Sequence, residues 1–225
     1  MVKKLPITPL FLVIEALLYI AFLYCDIVGY SSVSTALKYT SLLLCLLFCF
    51  DSITEKSEKD SRLVCLALTF TAMADLFLLV LNRWYAVGVA FFCPVQILYA
   101  IRLRRLSKKH IPLWPRILLS GGAIIAVVLW KALDPLTLLV CIYFPQLLCN
   151  AVESLFQLTS LQAKLFAMGL WLFLGCDICV GLNNMSLYIP VTGSFIMTFV
   201  QIGMWAFYLP SQVLIVLSAS RRLHS

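Results

Sequence analysis

"RLVCLALTFTAMADLFLLVLN", residues 62–82, is 21 residues long and carries one charge inside it, Asp75. A helix rises about 1.5 Å per residue, so such a run spans about 30 Å, the thickness of a bilayer's hydrocarbon core. Seven similar runs surround it, at 6–25, 35–51, 85–103, 115–131, 136–154, 162–183 and 193–219. The 225-residue chain is 63% hydrophobic and 12% charged, with mean hydropathy +1.01. A water-soluble domain of this size could not hide that much apolar surface. The expected fold is an all-α integral membrane protein with eight transmembrane helices in a single domain, 1–225. The first run follows "MVKK" like a signal peptide, but Glu15 interrupts it and no small-residue cleavage site follows, so it reads as a mature helix.

Eight crossings put both termini on one side. Lys3, Lys4, Lys56, Lys59, Arg62, Arg102, Arg104, Arg105, Lys108, Lys109, Arg116, Lys164, Arg221 and Arg222 fall on that side, and only Lys38, Arg83 and Lys131 opposite, a split of 14 against 3. Cytoplasmic loops are enriched in Lys and Arg, so both termini are expected in the cytoplasm, with the cell membrane as host. The net charge of +7 then needs no nucleic-acid partner, because "RLRRLSKKH" (102–110) sits at a helix end where anionic lipid head groups attract it.

Nine cysteines (Cys25, Cys45, Cys49, Cys65, Cys93, Cys141, Cys149, Cys176, Cys179) lie within or at the ends of the runs, where Cys behaves as a small apolar residue. "CDIC" (176–179) matches a thioredoxin-like pair only as a string, lacking the soluble strand-to-helix context. The two histidines, His110 and His224, are remote from the membrane carboxylates. No metal and no cofactor are expected.

"LGCDICVGLNN" (174–184) repeats the intrusion of a carboxylate. Aligning Asp75 with Asp177 brings Asn82 onto Asn184, each seven residues later on the same helical face. "AFFCPVQIL" (90–98) then matches "AFYLPSQVL" (206–214), and "YTSLLLC" (39–45) fainter "YFPQLLC" (143–149). The matched helices are four crossings apart and run the same way, which indicates a parallel 4+4 repeat with halves 1–110 and 111–225. Asp75 and Asp177 then face each other. Pro94 and Pro210 are expected to kink helices four and eight and free backbone carbonyls, for which Gln96 and Gln212 are candidate partners unless they line the same cavity.

A mid-helix Asp costs about 2.5–3.5 kcal/mol on insertion scales and marks a functional position by default. The plain alternative is a neutral Asp hydrogen-bonded to Asn or Tyr as helix glue. Two carboxyls in one apolar pocket cannot both carry charge cheaply, so one is expected protonated beside an ionised partner: an acid and a base together. Lys38, Tyr143, Asn150 and Glu15 are further polar residues that could converge there. Lys38 can equally snorkel to the interface, and Glu15 can be a satisfied packing residue. Asp26, Asp51, Asp134 and Glu153, at span ends, read as solvated.

The order Lys38, "MADLFLL" with Asp75, "QILY" with Gln96 and Tyr99, "GCDICVGLN" with Asp177 and "YLPSQVLI" with Tyr208 and Gln212 resembles the YhhN-like family, which contains lysoplasmalogenase. The resemblance covers nearly the whole chain. It departs from the family pattern at Ala74, Cys176, Tyr39 and Gln96, where Gly, Ser, Pro and His are common. It implies hydrolysis of the vinyl ether of a lysophospholipid to a fatty aldehyde and a glycerophospho-base, with Asp75 and Asp177 catalytic. Lys38, Gln96, Tyr99, Tyr143, Asn184, Tyr208 and Gln212 are then the candidate substrate-binding residues, and Lys38 or Arg83 could meet the phosphate. Acid–base cleavage of a vinyl ether needs no metal. A proton-coupled transporter or lipid-binding protein would use paired membrane carboxylates as naturally, and a scaffold would tolerate Asn at both.

Overall fold

Apolar runs broken by short polar segments form eight helices, α1 (Ile7–Val28), α2 (Ser31–Ser52), α3 (Glu58–Asp75), α4 (Tyr85–Leu106), α5 (Leu113–Leu129), α6 (Pro135–Ser154), α7 (Leu161–Met185) and α8 (Ser194–Ala219). α3 runs on into a π-helical segment, Leu76–Val80, and α6 into a 3-10 turn, Leu155–Gln157. The computed structural model describes residues 7–52, 58–106, 109–185 and 194–220. Lys3, Lys4, Lys56, Lys108, Arg221 and Arg222, which entered the charge reading, and His224 lie outside them.

Seven of the helices are long and apolar enough to cross a membrane. The exception is α5, whose 17 residues reach about 25 Å, short of the roughly 30 Å core. It packs on α6, and the one residue it buries is an arginine, Arg116. Neighbours along the chain pack in order, α1 on α2, α2 on α3 and α3 on α4, then α5 on α6, α6 on α7 and α7 on α8. The two series join where α4 packs on α6 and α8 on α2. The core where they meet includes Leu42, Leu68, Val95, Leu147, Leu170 and Ile215, all fully buried.

Close helix approach rests on small residues. A Cβ on Gly169 would lie 2.7 Å from Ile215 Cγ1 and 3.0 Å from the Ser211 carbonyl oxygen of α8. One on Gly88 of α4 would lie 2.5 Å from Leu78 Cγ in the π segment. α6 starts on a cap in which the Asp134 side chain accepts from the Thr137 amide at 2.7 Å, with Pro135 in the first turn.

Several polar residues behave otherwise than hydropathy suggests. Arg102 and Arg116, counted as loop charges, are 1% and 2% exposed. Arg102 grips Asp60 with two bonds, 2.9 and 2.8 Å, donates to Ser218 Oγ at 2.7 Å and lies 4.2 Å over the Phe166 ring. Asp26 is exposed, as expected, and also takes the Lys38 ammonium at 2.8 Å. Glu153, also expected in solvent, is fully buried against Arg116 at 2.8 Å. Cys49 and Cys65, read as apolar fillers, pair as a disulfide between α2 and α3.

Candidate functional site

Asp75 is the last residue of α3, and the wider π turn begins directly after it, closed by the Leu81 amide donating to the Leu76 carbonyl at 2.8 Å. π turns favour functional positions because they displace a side chain from the regular helical stripe. The Asp75 carboxylate is buried and accepts from the Tyr208 hydroxyl of α8 at 2.8 Å. Asp177, in the interior of α7, accepts from the Tyr143 hydroxyl of α6 and keeps partial exposure. Each carboxylate therefore has a phenol as its partner.

The two pairs belong to one locus. Tyr143 stacks on Phe92 at 5.6 Å, Phe92 meets Phe173 edge-on at 5.7 Å, and Phe173 meets Tyr208 edge-on at 5.7 Å. The Cys176 thiol is within electrostatic reach of both Asp75 and Asp177, and Tyr208 of Tyr143. Four buried aromatic rings thus form an apolar wall between two polar corners.

The remaining predicted residues divide. Lys38 borders the locus: its ammonium lies 4.4 Å over the Trp205 ring, and Trp205 meets Tyr208 edge-on at 5.7 Å. Its charge is already met by Asp26, which also accepts from Ser34 Oγ at 2.5 Å. Lys38 does not snorkel outward, being 6% exposed. Tyr39 beside it is within electrostatic reach of Asp75. Gln96 belongs elsewhere, to a cluster with Asn150, which donates to its backbone and side-chain oxygens at 2.9 and 3.0 Å. Tyr99 and Gln212 are buried without a bond to either carboxylate; Tyr99 sits edge-on to Phe166 at 5.4 Å and Gln212 donates to Ser211 Oγ at 3.1 Å. Asn184 is exposed near the end of α7.

Asn82, its proposed counterpart, has left the helix with φ 48° and accepts from the Tyr85 hydroxyl at 2.8 Å. The π segment is the cause, since it ends the helix that would have carried Asn82 on the Asp75 face. Arg83 lies exposed against Trp84 in the same loop. Glu15 is a satisfied packing residue, accepting from Ser41 Oγ at 2.5 Å and Cys45 Sγ at 3.4 Å. The carbonyl freed by Pro210, that of Ala206, accepts from the Tyr19 hydroxyl of α1 at 3.2 Å rather than from Gln212. Phe92 and Phe173 were not foreseen, because a phenylalanine in an apolar run carries no signal of its direction. Among the described residues, no group of three His, Cys, Asp or Glu side chains is placed to hold a metal ion.

No curated protein and no solved structure matches the chain. The model of the YhhN family matches residues 33–219, which take in α2 almost from its start and α3 to α8 complete, with both carboxylates and their tyrosines. The chain belongs to the YhhN family.

Proposed function

We propose that the chain is a membrane-embedded lipid hydrolase that cleaves the vinyl ether of lysoplasmalogens by aspartate acid–base catalysis. The observation that carries this reading is the pair of carboxylates, each bonded to its own tyrosine, at the two ends of one aromatic wall. Asp177 is the less buried residue of the two, and this reading gives it the base role and leaves Asp75 as the acid. Asp75 protonates the outer alkene carbon, generating an oxocarbenium-like cation beside the Asp177 carboxylate, whose charge stabilises it. Water adds to the cation and its proton passes to Asp177. As the hemiacetal collapses, Asp177 protonates the leaving glycerol oxygen and Asp75 recovers a proton from the hemiacetal hydroxyl, so both carboxyls return to their starting states. In this reading the lipid tail lies toward Phe92 and Phe173.

The same reading takes the fold as eight crossings in two parallel halves, with both termini in the cytoplasm of a cell-membrane protein. Its support is the packing order: α1 to α4 and α5 to α8 use the same neighbours, and α4 on α6 mirrors α8 on α2. Purified protein is expected to release fatty aldehyde from a lysoplasmalogen and none from the saturated lyso-ether, while Asp75→Asn and Asp177→Asn each lower turnover by about a thousandfold or more with folding intact. Substantial activity in either variant would remove the paired-carboxylate mechanism. Ligand-driven proton movement in proteoliposomes without any aldehyde would favour the transporter.

A further inference from the structure

Tyr143, Gln146, Asn150 and Glu153 follow one another along α6 at spacings of three, four and three residues. Such spacing stacks side chains on one helical stripe, here about 15 Å long. At one end Tyr143 donates to Asp177. At the other, Glu153 accepts from the Ile111 amide at 3.1 Å, in a segment whose neighbours Lys109, His110 and Pro112 are exposed. Between them Arg116 donates to Gln146 at 3.2 Å, Asn150 at 2.9 Å and Glu153 at 2.8 Å. Asn150 in turn donates to Gln96 at 2.9 and 3.0 Å.

This cluster is deeply buried and incompletely paired. Gln96, Arg116, Asn150 and Glu153 are 1%, 2%, 0% and 0% exposed, yet Gln96 Nε2, Arg116 Nε and Glu153 Oε1 have no partner among the described residues. A bare buried polar atom costs about 1–3 kcal/mol. Two donors and an acceptor left over in one connected cluster are the arrangement that buried waters satisfy, each through about three hydrogen bonds. A lock that merely held α5 to α6 would have no need of the leftover groups.

We propose that the polar face of α6 is a hydrated route that carries water from the 109–112 end of the bundle to Asp177. The use of that water rests on the hydrolase reading; the hydration does not. In that reaction the water oxygen forms the new bond at the cationic carbon and becomes the aldehyde oxygen, one water proton goes to Asp177, and the ether carbon–oxygen bond breaks as the hemiacetal collapses. No net proton enters or leaves, so the route supplies water alone. A second entrance serves the chemistry well, because a lipid tail lying on the aromatic wall closes the apolar side against water.

The test is hydroxyl-radical footprinting of purified protein in detergent, with rapid mixing of oxygen-18 water, beside aldehyde turnover. In the wild type Leu147 and Tyr143, 0% and 6% exposed, are expected to oxidise despite their burial, because waters lie beside them. Asn150→Ala and Asn150→Leu both delete the bonds to Arg116 and Gln96, but only leucine fills the space. A hydrated route therefore requires the labelling to persist in Asn150→Ala and to fall by about tenfold in Asn150→Leu, with kcat of the leucine variant about tenfold below that of the alanine variant at similar KM. Absence of labelling at both positions in the wild type, or equal labelling in the two variants, overturns the route. Labelling as expected with no aldehyde from any form upholds the route and overturns the hydrolase. Should Asn150→Leu not fold, Gln96→Leu, which fills the same cluster from α4, is read in its place.

Discussion

Each carboxylate holds a phenol, and the phenol can be removed without disturbing the ring. Tyr208→Phe keeps the edge contacts to Phe173 and Trp205 while deleting the donor to Asp75. Asp75 becomes charged as it gives its proton to the alkene, and a hydrogen bond to a charged group is worth about 1.5–3 kcal/mol, so kcat is expected to fall roughly ten- to hundredfold, with little change in thermal midpoint. A fall in midpoint matching the loss of activity would mean that the pair is structural glue. Asp134, outside the membrane-spanning segments, gives a separate pH reading. The Thr137 amide and hydroxyl hold its carboxyl below the ordinary value of 3.8. A lowered carboxyl adds stability above its unfolded value and loses it as pH falls through the folded one. Asp134→Ala is therefore expected to lower stability by about 1 kcal/mol at pH 7, with the deficit starting to shrink in thermal melts below about pH 4 and closing only as pH falls through the lowered folded value. Asp75 and Asp177 were legible from sequence because a carboxylate inside an apolar run is conspicuous. Arg102 and Arg116 were not, since an arginine at a span end reads as a loop charge until a carboxylate partner, Asp60 or the buried Glu153, is seen to face it.

Helices were legible as elements because apolar length alone defines them, and seven match the length that a membrane needs. Their continuation past Asp75 was not, because no periodicity announces the widening of Leu76–Val80 into a π turn, nor the seating of Leu78 against Gly88 of α4. The comparison of Asn82 with Asn184 failed for that reason: one asparagine lies beyond a helix end and the other within a helix. Gly169 is the position where helix contact can be tested with least ambiguity. Gly169→Val would drive a side chain into Ile215 and the Ser211 carbonyl, at 2.7 and 3.0 Å from the Cβ alone, and overpacking of this kind costs about 1–3 kcal/mol. A lower thermal midpoint in detergent is expected. The same substitution at Gly121, whose Cβ would meet nothing within 4 Å, should leave the midpoint unchanged, and equal effects at the two positions would refute the close packing of α7 on α8.

At the scale of the whole molecule, α5 decides the topology. Eight crossings place both termini together; if the 17 residues of α5 lie along the membrane surface, the termini fall on opposite sides. Reporter fusions at the N- and C-terminus are expected to give the same cytoplasmic signal, and opposite signals would dismantle the 4+4 arrangement. α1 is the other informative helix, since it lies wholly outside the residues 33–219 that match the family. Its Tyr19 closes the gap that Pro210 opens at the Ala206 carbonyl, two residues before Tyr208. The first helix thus acts as a splint on a cracked strut. Whatever shifts α1 in the bilayer, from a change in membrane thickness to a neighbouring protein, bears on the turn of α8 that presents a phenol to Asp75, so the Asp75–Tyr208 pair inside the bundle is open to influence from its outer helix.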